Sequence, residues 1–220
     1  MYFDDRLDAA RQLADALRRH EHSRPLVFAI PRGAVPMGRL IAQRLDGDLD
    51  VVLVRKLGAP MNPELAVGSV DESGWTYVSE EMRDLVTDEY LRAETARQLE
   101  VLKARRAAYT PGRPRADPKG RVAIVVDDGL ATGATMVAAL HSVRAREPAK
   151  LVCAVPVASF HGLAQIGALA DEVVSLVRPP EFHAVSQFYH RFDQVSDEEV
   201  AALLRGRPLE SGRVSEKGIA

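Results

Sequence analysis

The sequence predicts an α/β fold in which a mostly parallel central sheet is flanked by helices. Two observations carry that prediction. Short, largely apolar runs at residues 26–30, 51–54, 122–126, 151–156 and 172–177 have the length of strands covered on both faces. Between them stand segments with apolar residues at helical spacing, so strand and helix alternate four times, as in a parallel sheet built from βα units.

Each element has its own signals. Phe3, Leu7, Ala10, Leu13, Ala14 and Leu17 fall at helical spacing, with Asp4 as N-cap and Arg18, Arg19 and His20 at the far end. A helix is therefore expected over residues 4–19. The run 26–30 stops at Pro31-Arg32-Gly33, and Val35, Met37, Leu40, Ile41 and Leu45 continue as helix. The run 51–54 ends abruptly in Arg55-Lys56, and a loop bearing Gly58, Pro60 and Pro63 follows. Residues 66–70 and 75–78, separated by Asp71-Glu72-Ser73-Gly74, read as a hairpin. Residues 79–108 are helical in composition, acidic early and basic late, with a break near Thr87. Residues 110–120 collect prolines and glycines among arginines, the composition of a surface connection.

After the run 122–126 the sequence predicts a helix to about Ala145, the run 151–156, a helix over 162–170 and the run 172–177. Ser196-Asp197-Glu198-Glu199 is a capping box opening a short helix with Val200, Leu203 and Leu204 on its apolar side. The last dozen residues are polar and expected to fray.

Composition narrows the function. The 220 residues carry 29 Lys plus Arg against 31 Asp plus Glu and are 46% hydrophobic, which excludes a disordered polymer. A chain of this length buries roughly 70% of its unfolded surface, enough for one core and a small lobe. The near-neutral balance gives no reason to expect nucleic-acid or membrane binding, although Arg105, Arg106, Arg113 and Arg115 form a local basic cluster. No apolar run approaches the roughly 18 residues that span a bilayer. With a single cysteine and no signal segment at its start, a reducing cytoplasm is the expected location. The histidines at 20, 22, 141, 161 and 190 show no metal-ligand spacing, and Cys153 sits inside an apolar run, so neither a zinc site nor a thiol nucleophile is expected.

In an open parallel sheet, ligands sit beyond the carboxyl ends of the strands. The segment after Val126 places Asp127, Asp128 and Gly129 before Ala131, Thr132, Gly133, Ala134 and Thr135 at the start of a helix. Backbone N–H groups and two hydroxyls there can converge on one anion, with the helix N-terminus adding positive potential and Gly133 allowing close approach. A phosphate monoester is the natural guest. The two carboxylates suit vicinal hydroxyls or a hydrated divalent cation. Phosphate beside a diol describes a ribose 5-phosphate. The bland alternative, a turn followed by an ordinary helix start, fits the Asp-Gly pair alone better than it fits the whole string.

The string from Ile124 to Thr135 resembles the phosphoribosyl-pyrophosphate (PRPP) motif of type I phosphoribosyltransferases, and the order of elements extends that resemblance over about residues 25 to 190. It implies a type I phosphoribosyltransferase-like core at residues 21–178. A small hood lobe would come from residues 1–20 and 179–208, with a flexible tail at 209–220. It implies that Asp127 and Asp128 hold the ribose 2- and 3-hydroxyls, with Mg²⁺ on the same acids directly or through water, and that the loop from Ala131 to Thr135 binds the 5-phosphate.

Pro31, Arg32 and Gly33 stand where that family places its pyrophosphate loop, which implies a strained or cis peptide there. Arg55-Lys56 resembles the basic pair that opens the mobile catalytic loop, with residues 57–74 as an irregular lid. Arg32, Arg55 and Lys56 would neutralise the leaving diphosphate. Arg178-Pro179-Pro180-Glu181-Phe182-His183 lies where relatives contact the acceptor, Phe182 stacking on it and His183 hydrogen-bonding it; the alternative is an apolar plug and a solvated histidine. Gln187, Phe188 and Tyr189 read as packing for the lobe. Ala131 replaces the acid that hypoxanthine and guanine enzymes carry, which argues against those acceptors and for similarity to adenine-type and uracil-type members.

The function these readings predict is transfer of 5-phosphoribosyl from PRPP to a nitrogen acceptor, a nucleobase or related heterocycle, with Mg²⁺ and release of pyrophosphate. The main rival is a PRPP- or nucleotide-sensing regulatory protein on the same fold, and a weaker one is hydrolysis or phosphorolysis at the same site. Family habit adds a homodimer.

Overall fold

The computed structural model describes residues 2–206. In chain order its helices and strands are α1 (Arg6–Ala16), β1 (Leu26–Ala29), α2 (Ala34–Arg44), β2 (Asp48–Val51), β3 (Val54–Ala59), β4 (Asn62–Asp71) and β5 (Thr76–Val78). Then follow α3 (Asp88–Tyr109), β6 (Val122–Val126), α4 (Ala134–Arg144), β7 (Lys150–Val157), α5 (Phe160–Ile166), β8 (Glu172–Val177) and α6 (Asp197–Leu204). Short 3-10 helices occupy Arg18–Ser23, Glu80–Leu85 and Val185–Phe188.

The apolar runs pair as one parallel sheet in the order β2-β1-β6-β7-β8. Alternation along these strands divides the core in two. Val27, Ala29, Ile124, Val126, Val152 and Ala154 join α1, α2 and α6 on one face. Phe28, Ala123, Val125, Leu151, Cys153 and Val155 join α4 on the other. Strand order reverses between β1 and β6, so the two connections leaving their carboxyl ends diverge to opposite faces and open a crevice between them. Pro31 to Gly33 and Asp127 to Thr135 are the segments at that crevice.

A second, three-stranded antiparallel sheet, β3-β4-β5, packs against both α3 and α4. The expected hairpin around Asp71 to Gly74 is its β4-β5 half, and Asp71 Oδ1 ties the turn by accepting from the N–H groups of Ser73 and Trp75. The expected break at Thr87 is there too: its hydroxyl accepts from the Tyr90 N–H and caps α3.

Several expectations are corrected. The first helix is capped by Asp5, whose carboxylate accepts from the N–H groups of Leu7 and Asp8, and it ends at Ala16. The residues after it form a 3-10 helix that buries His20. The run 51–54 is not one strand: β2 ends at Val51 and Val54 begins β3 in the other sheet. Arg55-Lys56 therefore lies within β3, not beyond a doubly buried strand. The lid expected over 57–74 folds as a β-meander, with register shifts at Leu57/Gly58 and Gly58/Ala59 where Gly58 meets the Pro63 backbone. The helix placed over 162–170 runs over Phe160–Ile166. The expected tail at 209–220 lies outside the described residues.

Candidate sugar-phosphate site

The loop after β6 is shaped by its neighbours. Leu130 donates to the Val157 carbonyl, and the Ser159 hydroxyl donates to the Ala131 carbonyl, fixing the loop to β7 and α5. Gly133 adopts φ +86°, a left-handed conformation that disfavours side chains, and caps α4 without any side-chain bond. Ser69 of β4 donates to the Ala134 carbonyl, so the small sheet grips the same turn. Among the described residues, the N–H groups of Ala131, Thr132, Gly133, Ala134 and Thr135 donate to no protein acceptor. That leaves consecutive amides at the positive end of an 11-residue helix.

Beside them, Asp127 accepts from the Asp128 N–H at 2.9 Å. Burial, then the charge of Asp128, pushes the Asp127 carboxyl well above the usual carboxylate range, with Lys56 and Arg6 pulling the other way. Burial also raises Asp128, against the pull of Arg6. Arg6 Nε lies 2.9 Å from Asp128 Oδ2, and its guanidinium stacks 3.7 Å over the Phe192 ring and donates to the Asp193 carbonyl. The Tyr189 hydroxyl donates to the Asp128 carbonyl at 2.6 Å. Neither Arg6 nor the Tyr189 hydroxyl stood out in the sequence as a site group. Only contacts across more than 60 residues of chain bring them here.

Across the crevice, the Pro31-Arg32 peptide is cis. Gly33 faces Asp128 so closely that a Cβ there would stand 2.2 Å from Oδ2. The Arg32 guanidinium turns to Asp197 of α6 at 3.6 Å, and Asp197 also accepts from the Tyr109 hydroxyl. Burial and then Asp197 push the Tyr109 phenol up to about 12. Arg55 donates to Gln98 of α3 at 2.9 Å. A pocket of about 440 Å³ between β3 and α3 is lined by Pro31, Arg55, Lys56, Glu94, Arg105 and Thr135, among others. Thus the two loops and the basic pair converge, and α3 contributes polar groups that the sequence reading did not assign.

The half-buried Phe182 ring packs on Phe188 with centroids 5.3 Å apart, and His183 is exposed with its backbone N–H donating to Gln187. Phe188 and Tyr189 are buried, as the packing role required. Arg106, Arg113 and Arg115 of the basic cluster are spent on Asp50 and Glu72, so that cluster is not an open face. Cys153 is buried, and desolvation pushes its thiol up, leaving it inert. Among the described residues no three His, Cys, Asp or Glu side chains gather as a metal site, and no helix is long and apolar enough to cross a membrane.

Fold and crevice define a doubly wound α/β protein whose switch point carries free loop amides beside paired acids. Residues 2–193 match the family model "Phosphoribosyl transferase domain", and the chain belongs to that family. Two Mycobacterium tuberculosis proteins named "Putative phosphoribosyl transferase" are 42% identical over 207 residues, covering 92% of this chain and 46% of their own length. The chain thus spans about half the length of the curated relatives it matches. The crystal structure of TT1426 from Thermus thermophilus is 46% identical, with a TM-score of 0.79 over 93% of this chain and 98% of that one.

Proposed function

We propose that the chain transfers a 5-phosphoribosyl group from PRPP to a nitrogen of a small heterocycle and releases pyrophosphate. The observation that carries this reading is the meeting, at one switch point, of free amides from Ala131 to Thr135, the acids Asp127 and Asp128, and the Pro31-Arg32-Gly33 loop. Under it, residues 21–178 form the donor-binding core and residues 1–20 with 179–208 the hood.

The amides, with the Thr132 and Thr135 hydroxyls, hold the 5-phosphate dianion at the α4 N-terminus. Asp127 and Asp128 accept hydrogen bonds from the ribose hydroxyls, and Arg6, at 2.9 Å from Asp128, opposes the burial that raises that carboxyl. When the C1–O bond breaks, its electron pair leaves with diphosphate while positive charge grows on the ribose ring. The Arg32 and Gly33 N–H groups with Arg55 and Lys56 stabilise the departing anion. The donor set suits Mg²⁺: Asp127 and Asp128, directly or through water, would supply only two carboxylates, as expected for an ion completed by water and substrate oxygens. When bound, the ion would supply further charge neutralisation on the diphosphate. The β3-β4 hairpin is the element placed to exclude water from the ribose carbon. The heterocycle meets the segment carrying Phe182 and His183, and Ala131 speaks for acceptors other than hypoxanthine and guanine.

The test is incubation with PRPP, Mg²⁺ and a panel of nitrogen heterocycles while pyrophosphate release is followed. Turnover that disappears in Asp127→Asn supports transfer. Tight PRPP binding with no turnover on any acceptor would instead support a sensor, and no PRPP binding would refute both.

A further inference from the structure

The helix α3 carries two adjacent arginines with opposite fates. Arg106 donates to Asp50, Glu72 and the Val51 carbonyl, and those carboxylates hold its guanidinium charged. Arg105 lies on the face that also carries Glu94 and Gln98, turned to β3 by the helical period. It is half-buried and, among the described residues, makes no hydrogen bond or ion pair. Its side chain lines the pocket shared with Arg55, Lys56 and Pro31.

That pocket is charged in one direction. Four cations line it against one carboxylate, Glu94, which is already committed to Arg97 and Gln98. Burial, and then the charge of Arg105, lowers the Arg55 guanidinium. Arg55 itself is held by a neutral amide oxygen of Gln98. Grouping like charges away from bulk water costs stability unless an anion completes the group. The fold could have neutralised Arg105 as it neutralised Arg106, and does not.

We propose that Arg105 is a binding residue for the diphosphate group of the donor and for the pyrophosphate product, acting with Arg55 and Lys56 from the opposite wall. This rests on the donor reading above. The 5-phosphate has its own amide cradle, whereas the diphosphate's several negative charges match the unpaired cations of this pocket. The Tyr90 hydroxyl, donating to the Gly58 carbonyl at 2.8 Å, together with the Arg55–Gln98 bond, fixes α3 against β3 so that both walls keep their spacing.

Titration calorimetry on the full chain, with inorganic pyrophosphate and ribose 5-phosphate as separate probes in Mg²⁺ buffer, tests this. Arg105→Ala should weaken pyrophosphate binding by about tenfold or more, the worth of a charged hydrogen bond, and leave ribose 5-phosphate within about twofold. Arg105→Lys should recover part of the loss. Alanine suits a helix, so thermal melts should match the parent chain. If Arg105→Ala binds pyrophosphate as the parent does, or loses both probes equally, the proposal fails while the donor reading stands. If the parent chain binds neither probe, both fail.

Discussion

Replacing Gly33 by alanine puts a methyl group where the crevice has no room. Gly33 has helical backbone angles, φ −56° and ψ −35°, so alanine meets no conformational penalty and only the contact counts. The added Cβ would stand 2.2 Å from Asp128 Oδ2 and 3.0 Å from Arg6 Nε. The first of these is more than 1 Å inside the roughly 3.5 Å at which nonbonded heavy atoms rest. Either the loop moves away or the carboxylate swings off Arg6. Crowding of this kind costs about 1–3 kcal/mol, which for a chain this size lowers the melting midpoint by roughly 2–12 °C. Under the proposed function, displacing the carboxylate also removes an acceptor of the ribose hydroxyls. The assay is a thermal melt paired with calorimetric PRPP binding, with Gly167→Ala as control because its nearest neighbour would be 3.5 Å away. The control should be unchanged or slightly stabilised. If Gly33→Ala melts with the parent and keeps its PRPP affinity, the close approach of the two loops is wrong.

Two further predictions concern what holds the site in place. Partial burial pushes the Glu172 carboxyl up, but hydrogen bonds from Arg19, Lys150 and His20 outweigh it and bring it from 4.5 down to about 2. The stability this supplies is fully present above pH 4.5 and lost as pH falls toward 2. Glu172→Gln should therefore cost about 1–2 kcal/mol at pH 7, discounted for solvent around Arg19 and Lys150, and flatten the acid limb of a melting-versus-pH curve; parallel curves would refute this. Asp50 is buried and accepts from Arg106, Arg113 and the Ala116 N–H, so Asp50→Ala leaves guanidiniums facing a void. A loss of about 3–5 kcal/mol in urea unfolding is expected, and a loss under about 1 kcal/mol would show the network to be dispensable.

Much of this was legible in the residues. The runs at β1, β6 and β7 are apolar on both faces, and a strand of that kind needs no partner's identity to be recognised. The acid pair and the small-residue loop are contiguous in the chain, so their meeting is guaranteed by covalent connection. Gly133 signals its own backbone conformation. Long-range pairing set the rest. The apolar run 51–54 carries no mark of where one sheet ends and another begins, because Val51 and Val54 differ only in which strand lies beside them. The lid is a sheet because β4 finds partners on both sides.

Arg6 and Asp128 are 122 positions apart, and no local pattern announces their contact. Arg105 and Arg106 are the sharpest case: identical side chains on consecutive residues. The helical twist of about 100° per residue turns one to Asp50 and Glu72 and the other into the cationic pocket. Composition and local pattern set the elements and the loop chemistry, since those depend on near neighbours in the chain. Which charge is neutralised and which is left open depends on groups that only the folded chain brings together.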